Sequence, residues 1–117
     1  MYSIDIITDI LKTVGSQNVT DIHLTAGAIP AVRTYGKLSY VKGFRAIKPN
    51  EIKAIVDSML EKEHKAILKD KHYISTTVVL DGIGRIRANV FMQRGSYAIN
   101  LKTLDKILKT PKELGIP

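Results

Sequence analysis

Gly84-Arg85-Ile86-Arg87-Ala88-Asn89-Val90-Phe91-Met92-Gln93-Arg94-Gly95, continued by Ser96-Tyr97-Ala98-Ile99-Asn100-Leu101-Lys102, is the stretch on which the fold turns. Side chains along a strand alternate between two faces, so Ile86, Ala88, Val90 and Met92 share one side. Arg85, Arg87, Asn89, Phe91 and Gln93 take the other. A two-residue turn at Arg94-Gly95 sets Val90 opposite Ile99, Ala88 opposite Leu101 and Met92 opposite Tyr97, an unbroken apolar patch that a one-residue slip would scramble. Asn or Asp is the usual residue before Gly in such a turn, so Arg94 leaves a longer loop and a shifted pairing open. On the reverse side Asn89 faces Asn100, and Arg87 faces Lys102. Like charges directly across a strand pair are destabilising, so an anion between the two cations is expected, with phosphate as the leading ligand.

The remaining chain supplies partners for this hairpin. Ile6, Ile7, Ile10, Leu11 and Val14 recur at helical spacing between Ser3, a suitable N-cap, and Gly15, a suitable stop. Val19 to Thr25 alternates as a half-buried strand, with Ile22 and Leu24 against Asp21, His23 and Thr25. Ala31 to Thr34 and Lys37 to Lys42 form a hairpin about Tyr35-Gly36, closed by Gly43. Pro49 suits the first position of a helix whose apolar stripe is Ile52, Ile55, Val56, Met59 and Leu60, and the helical run is expected to bend and continue through Ile67 and Leu68. Tyr73 to Leu80 is rich in β-branched residues, and Asp81-Gly82-Ile83-Gly84 turns it into the central hairpin. The order of helix, strands, helices and strands predicts an α+β domain with a largely antiparallel sheet.

Composition restricts the function. With 44% apolar and 25% charged residues, the 117-residue chain suits one folded domain with its own core. Neither an apolar run near the ~18 residues needed to span a bilayer nor a signal-peptide pattern is present, so a cytoplasmic location is expected. Zero cysteines exclude disulfides and thiolate metal sites, and His23, His64 and His72 are too far apart for a local two-histidine motif. Eighteen basic residues against 11 acidic ones leave a net charge of +7, which favours an anionic partner: nucleic acid, an acidic membrane surface or nucleotide phosphates. Lys62, Lys65, Lys69 and Lys71, mixed with Glu61, Glu63 and Asp70, read as a solvated helix face.

Catalytic motifs are missing from the sequence. A phosphate-cradling GxxxxGK[ST] loop is absent, since Gly36-Lys37 runs into Leu38, and Arg87 stands where Gly82-Ile83-Gly84 would need the last glycine of a dinucleotide loop. No Ser/His/Asp arrangement or close acidic pair stands out, so no catalytic residue is assigned and the chain alone is not expected to be an enzyme. His23 and Asp21 read as hydrogen-bonding strand residues, with a functional imidazole as the alternative for His23. Phe91 and Tyr97 lie near basic residues but on opposite faces, which weakens an RNA-stacking platform. From charge alone, a free-standing basic module binding nucleic acid or acidic membrane stands as the alternative function. A third reading is a domain whose basic face pairs with acidic residues of another subunit.

Thr20-Asp21-Ile22-His23-Leu24-Thr25, Pro30-Ala31-Val32-Arg33 with Gly36-Lys37-Leu38, the Gly84–Gly95 strand and Glu113-Leu114-Gly115-Ile116-Pro117 together resemble, in order, the N-terminal domain of PilT-type ATPases. These are hexameric retraction motors of type IV pili within the secretion ATPase superfamily. The resemblance implies a PAS-like domain over residues 1–110 and, at 111–117, the start of a linker to a RecA-like ATPase domain lying beyond this chain. It implies ATP as ligand, with Mg2+ held through that other domain, and no tight cofactor on this one. The implied partners are the RecA-like domain of the same protein, neighbouring subunits of a homohexamer and the type IV pilus inner-membrane platform, with no nucleic acid. The implied location is the cytoplasmic face of the membrane at the pilus base, and the implied process is pilus retraction in twitching motility. Basic residues of this domain would approach nucleotide phosphates at the interdomain cleft. Those roles fall on Arg87 and Arg85, and on Lys102 where relatives carry arginine, with Asn89, Asn100 and Gln93 as further polar contacts. Lysine remains a point charge for phosphate but loses the bidentate fork of arginine. At His72-Tyr73-Ile74-Ser75 relatives usually carry an acidic residue, which this sequence lacks.

Overall fold

The structure, a computed structural model, describes residues 1–15 and 18–103. The Glu113–Pro117 motif and the linker expected at 111–117 lie outside the described residues. Along the chain run α1 (Ile6–Val14), β1 (Val19–Thr25), β2 (Ala31–Thr34), β3 (Lys37–Tyr40), α2 (Pro49–Met59), α3 (Lys62–Lys71), β4 (Tyr73–Leu80), β5 (Gly84–Gln93) and β6 (Ser96–Thr103). The strands form one antiparallel sheet in the order β3-β2-β1-β6-β5-β4, so the domain is α+β as its pattern predicts. None of the described helices is long and apolar enough to cross a membrane.

The β5–β6 hairpin has the register that its apolar alternation requires: Ala88 pairs with Leu101, Val90 with Ile99 and Met92 with Tyr97. Arg94 and Gly95 both have positive φ, 53° and 80°, as a two-residue primed turn demands. The longer loop is therefore not needed, and Arg94 accepts the left-handed conformation in exchange for an unbroken ladder. The apolar patch ends one pair early, because Met92 is 37% exposed at the tip of the hairpin.

β1 inserts against β6, with Ile22 opposite Leu101 and Leu24 opposite Ile99, so the two halves of the chain join through a pairing between residues distant in sequence. The three helices cover the same side: α1 lies on β1, α2 on β6 and α3 on β4. Ile7, Ile10, Ile22, Leu24, Ile52, Ile55, Ala88, Val90, Ile99 and Leu101 make the centre of one core. Burying each large aliphatic side chain there contributes about 1.5–3 kcal/mol.

Three local expectations change. The α1 cap position is Asp5 rather than Ser3. Ser3 instead stabilises the preceding turn, its hydroxyl accepting from the Asp5 amide at 3.3 Å and its carbonyl from the Ile6 amide at 2.9 Å. The bent helix expected from Pro49 to Leu68 is two helices, because Leu60 and Glu61 are extended, with ψ of 143° and 166°. That break lets Leu60 turn into the core, where it is buried. The second strand of the hairpin stops at Tyr40, and the Val41 amide donates to the Pro30 carbonyl at 2.9 Å.

Candidate functional site

With all three helices on one side, the other face of the sheet is open, and register decides which charges meet on it. Leu38, Arg33, Asp21, Lys102, Arg87 and Thr77 line up across the six strands. Arg87 and Lys102 are direct partners on this face, as the hairpin register predicts. Arg85 lies next along β5, opposite Val79. Asn89 and Asn100 occupy the adjacent row. Gln93 does not join the group: it pairs with Ser96 at the hairpin tip, about 20 Å along the strand from Arg87.

Asp21 is the residue that gives this row its electrostatic character. Its carboxylate is 10% exposed, and Lys102 Nζ lies 3.1 Å from Oδ1. Arg33 Nε stands 3.8 Å from Oδ2, which also accepts from the Thr20 hydroxyl at 3.0 Å. Burial works to raise the Asp21 pKa, but the hydrogen bonds from Lys102 and Thr20 together with the Lys102 charge outweigh it and hold the group below its ordinary value. The Arg87–Lys102 pair therefore does not by itself call for an external anion, because Asp21 supplies one within the domain. Arg87 differs from its neighbours. Among the described residues it forms no ion pair or hydrogen bond, although it is only half-buried in a row that holds three cations and one anion. Lys102 keeps 58% of its side chain exposed and can turn toward a further anion.

A polar ladder crosses the same face one row away. The Tyr73 hydroxyl donates to Asn89 Oδ1 at 3.3 Å, and Asn89 Nδ2 donates to Asn100 Oδ1 at 3.2 Å. Asn100 Nδ2 lies 3.4 Å from either ring nitrogen of His23. Asn89, Asn100 and His23 are thus mutually satisfied, and the two amides act as spacers that hold β5, β6 and β1 in register. His23 and Asp21 are hydrogen-bonding strand residues, as their positions predict; Thr20 and Arg33 lie close to Asp21 in sequence, but Asn100 and Lys102 belong to a strand at the other end of the chain and have no local signature.

Asp21→Asn offers a direct measure of this row. It is expected to lower stability at neutral pH by about 1.5–3 kcal/mol in urea denaturation, the range for hydrogen bonds to charged groups. The folded pKa is depressed, so the contribution is complete above the ordinary aspartate value of 3.8 and disappears as pH falls through the folded value. The gap between wild type and variant should close in acid. A gap that widened there would contradict the ion pairing.

No protein-family model matches the chain. Among curated proteins it is similar to the type IV pilus ATPase PilU of Pseudomonas aeruginosa, 22% identical over 108 residues that cover 92% of this chain and 28% of that protein. It is also similar to the type IV pilus retraction ATPase PilT of the same organism, 28% identical over 114 residues that cover 94% of this chain and 32% of that protein. Among solved structures, the pilus retraction motor PilT with bound ADP superposes with a TM-score of 0.76 at 34% identity, covering 100% of this chain and 33% of that one. The Legionella pneumophila ATPase DotB superposes with a TM-score of 0.71 at 19% identity, a likeness of fold, over 99% of this chain and 33% of that one. The chain spans about a third of the length of the relatives it matches, and it resembles the N-terminal domain of a secretion or retraction ATPase.

Proposed function

We propose, from the resemblance to the N-terminal domain of pilus-retraction and secretion ATPases, that this chain serves a type IV pilus motor and lends cations to its nucleotide site. The observation that carries this reading is Arg87. It is a half-buried arginine on an open sheet face, with a cation directly across from it and no anionic partner among the described residues. An arginine so placed is preorganised for a phosphate presented from outside the domain, which it can grip through two parallel N–H donors. Lys102 adds a second charge and Arg85 a third from the next position along β5. Lys102 would have to be shared with Asp21 or released from it, so phosphate binding and the Lys102–Asp21 bridge compete.

In this reading a RecA-like domain of the same protein holds ATP and Mg2+ and does the chemistry. Closure of that domain on the open face brings the phosphates to Arg87, neighbouring subunits of a hexamer complete the cleft, and the assembly works on the cytoplasmic side of the membrane at the pilus base. Asn89 and Asn100, already bonded to each other, keep β5 and β6 aligned behind the cations, and Gln93 lies too far along the hairpin to share the phosphate.

Lys102→Arg in the full-length protein tests the assignment. Arginine keeps the charge and adds a bidentate donor, so the nucleotide response should be preserved or strengthened. Loss of nucleotide-stimulated activity in a variant that melts like wild type would contradict a phosphate role on this row. A salt titration of binding to generic DNA beside one with ATP separates the nucleic-acid reading, since binding to a nucleic-acid backbone falls steeply with salt.

A further inference from the structure

We infer that the free edge of β4 is a self-association site, at which a second copy of this chain pairs antiparallel about a two-fold axis through Thr76. Thr77 stands across from Arg87 at the end of the charged row, but the backbone edge of β4 takes no part in the ion pairs there, and the inference does not depend on the nucleotide reading. β4 ends the sheet, bonded to β5 on one side and to no described strand on the other. Its sequence, Tyr73-Ile74-Ser75-Thr76-Thr77-Val78-Val79-Leu80, has no charge, proline or glycine. Its register with β5 runs without a shift from Tyr73 opposite Phe91 to Leu80 opposite Gly84. Exposed edges are ordinarily blunted by lysine, proline, bulges or shortness. The opposite edge is short, with β3 only four residues long, whereas β4 has eight and none of these devices.

Hydrogen-bond parity shows which groups are available. The Met92 amide donates to the His72 carbonyl at 3.0 Å, so the His72–Met92 pair is of the hydrogen-bonded kind. Alternation in an antiparallel ladder then directs the backbone groups of Ile74, Thr76 and Val78 toward β5, and those of Tyr73, Ser75, Thr77 and Val79 toward the free edge. Paired strands must match faces, so the axis has to pass through a residue rather than between two. Centred on Thr76, Tyr73 meets Val79 of the copy and Ser75 meets Thr77 on the open face, while Ile74 meets Val78 on the helix side. Each outward-directed backbone group finds an outward-directed partner. Tyr73 and Val79, 51% and 73% exposed, become neighbours and shield each other. An axis through Ser75 leaves Val79 unopposed, and one through Thr77 leaves Tyr73 unopposed, so Thr76 gives the longest and most complementary overlap.

Thr77 provides a clean disruption. Its amide points away from β5, so Thr77→Pro removes a donor from the outer edge without breaking the internal ladder. Thr77→Lys places a charge opposite Ser75 of the copy and is the gentler variant should proline disturb folding. Sedimentation equilibrium of the 117-residue chain is expected to show a monomer–dimer equilibrium, weakened by about tenfold or more in Thr77→Lys and lost in Thr77→Pro. The chain has no cysteine, so single-cysteine variants report the register. Thr76→Cys sits across the axis from itself in a non-hydrogen-bonded pair, at a separation that a disulfide can span. It should cross-link under mild oxidation faster than Ser75→Cys or Thr77→Cys. A chain monomeric at the concentration of an NMR sample, a dimer unaffected by both Thr77 variants, or equal cross-linking by the three cysteines would each overturn the inference.

Discussion

On the proposed nucleotide role, Arg87→Ala in an ATPase carrying this domain is expected to lower ATP turnover by about tenfold to a hundredfold, the range spanned by losing one charge-assisted hydrogen bond to phosphate of roughly 1.5–3 kcal/mol. Folding should hardly change. Arg87 makes no ion pair or hydrogen bond with the described residues, and its strand is held by the ladder and by Ile86 and Ala88 on the other face. Removing an unpaired cation that faces another cation even relieves a little repulsion with Lys102. The informative experiment therefore measures ATP hydrolysis and thermal denaturation on the same preparation. A rise in KM at constant kcat would mean that the contact is made equally in the ground and transition states, and an equal fall in kcat and kcat/KM would mean that it forms only in the transition state. Turnover equal to wild type would remove Arg87 from the nucleotide site.

The second large effect concerns stability and comes from Glu51, which is 1% exposed in the first turn of α2. Its Oε1 accepts from Arg45 Nη1 at 2.8 Å and from the Lys48 amide at 2.9 Å. Its Oε2 accepts from Arg45 Nη2 at 2.6 Å and from the Tyr2 amide at 2.7 Å. Tyr2 completes the knot: its hydroxyl accepts from the Arg45 amide at 2.7 Å, and its ring lies 4.1 Å beneath the Arg45 guanidinium. One carboxylate thus caps α2, anchors the start of the chain and fixes the segment leading into the helix. Glu51→Ala leaves the half-exposed Arg45 guanidinium and two backbone amides without their acceptor, so the melting temperature is expected to fall further than for replacement of any other acidic side chain among the described residues. The bidentate Arg45 contact, against the opposing pull of burial, holds the Glu51 pKa well below the usual carboxylate range. Because the folded pKa is depressed, the contribution is complete above the ordinary glutamate value of 4.5 and is lost progressively as pH falls from there to the much lower folded value. Wild type and Glu51→Gln should therefore differ by a constant amount from neutral pH into mild acid and converge only in strong acid. Convergence already near neutrality would contradict the ionised, fully bonded carboxylate.

The two residues expected to matter most differ in how readily sequence reveals them. Arg87 is found by alternation alone: it shares a strand with Ile86 and Ala88, whose burial forces it to the other side. Glu51 is less legible, although a local signal exists. It stands three residues after Lys48 with Pro49 between, the position from which an acidic side chain reaches back to the amide at a helix start. Its choice of Arg45 and Tyr2 as partners has no local signature. The break between α2 and α3 was likewise hidden, because Leu60 continues the apolar stripe in either conformation and only the space available under the sheet selects the extended one.

Residues that settle their conformation with near neighbours were decided by composition and spacing. The alternation of Ile86, Ala88 and Val90, the turn at Arg94-Gly95 and the proline opening α2 each resolve within a few residues, where burial and backbone sterics leave one solution. Ion pairing across the sheet was decided by the folded topology. Only when β1 inserts beside β6 does Asp21 come within 3.1 Å of Lys102, turning an apparent pair of bare cations into a row with an internal anion, in which Arg87 has no ion pair among the described residues. Local periodicity states which side of a strand meets water. Which charge meets which depends on strand order, a pairing between distant segments that no short stretch of chain encodes.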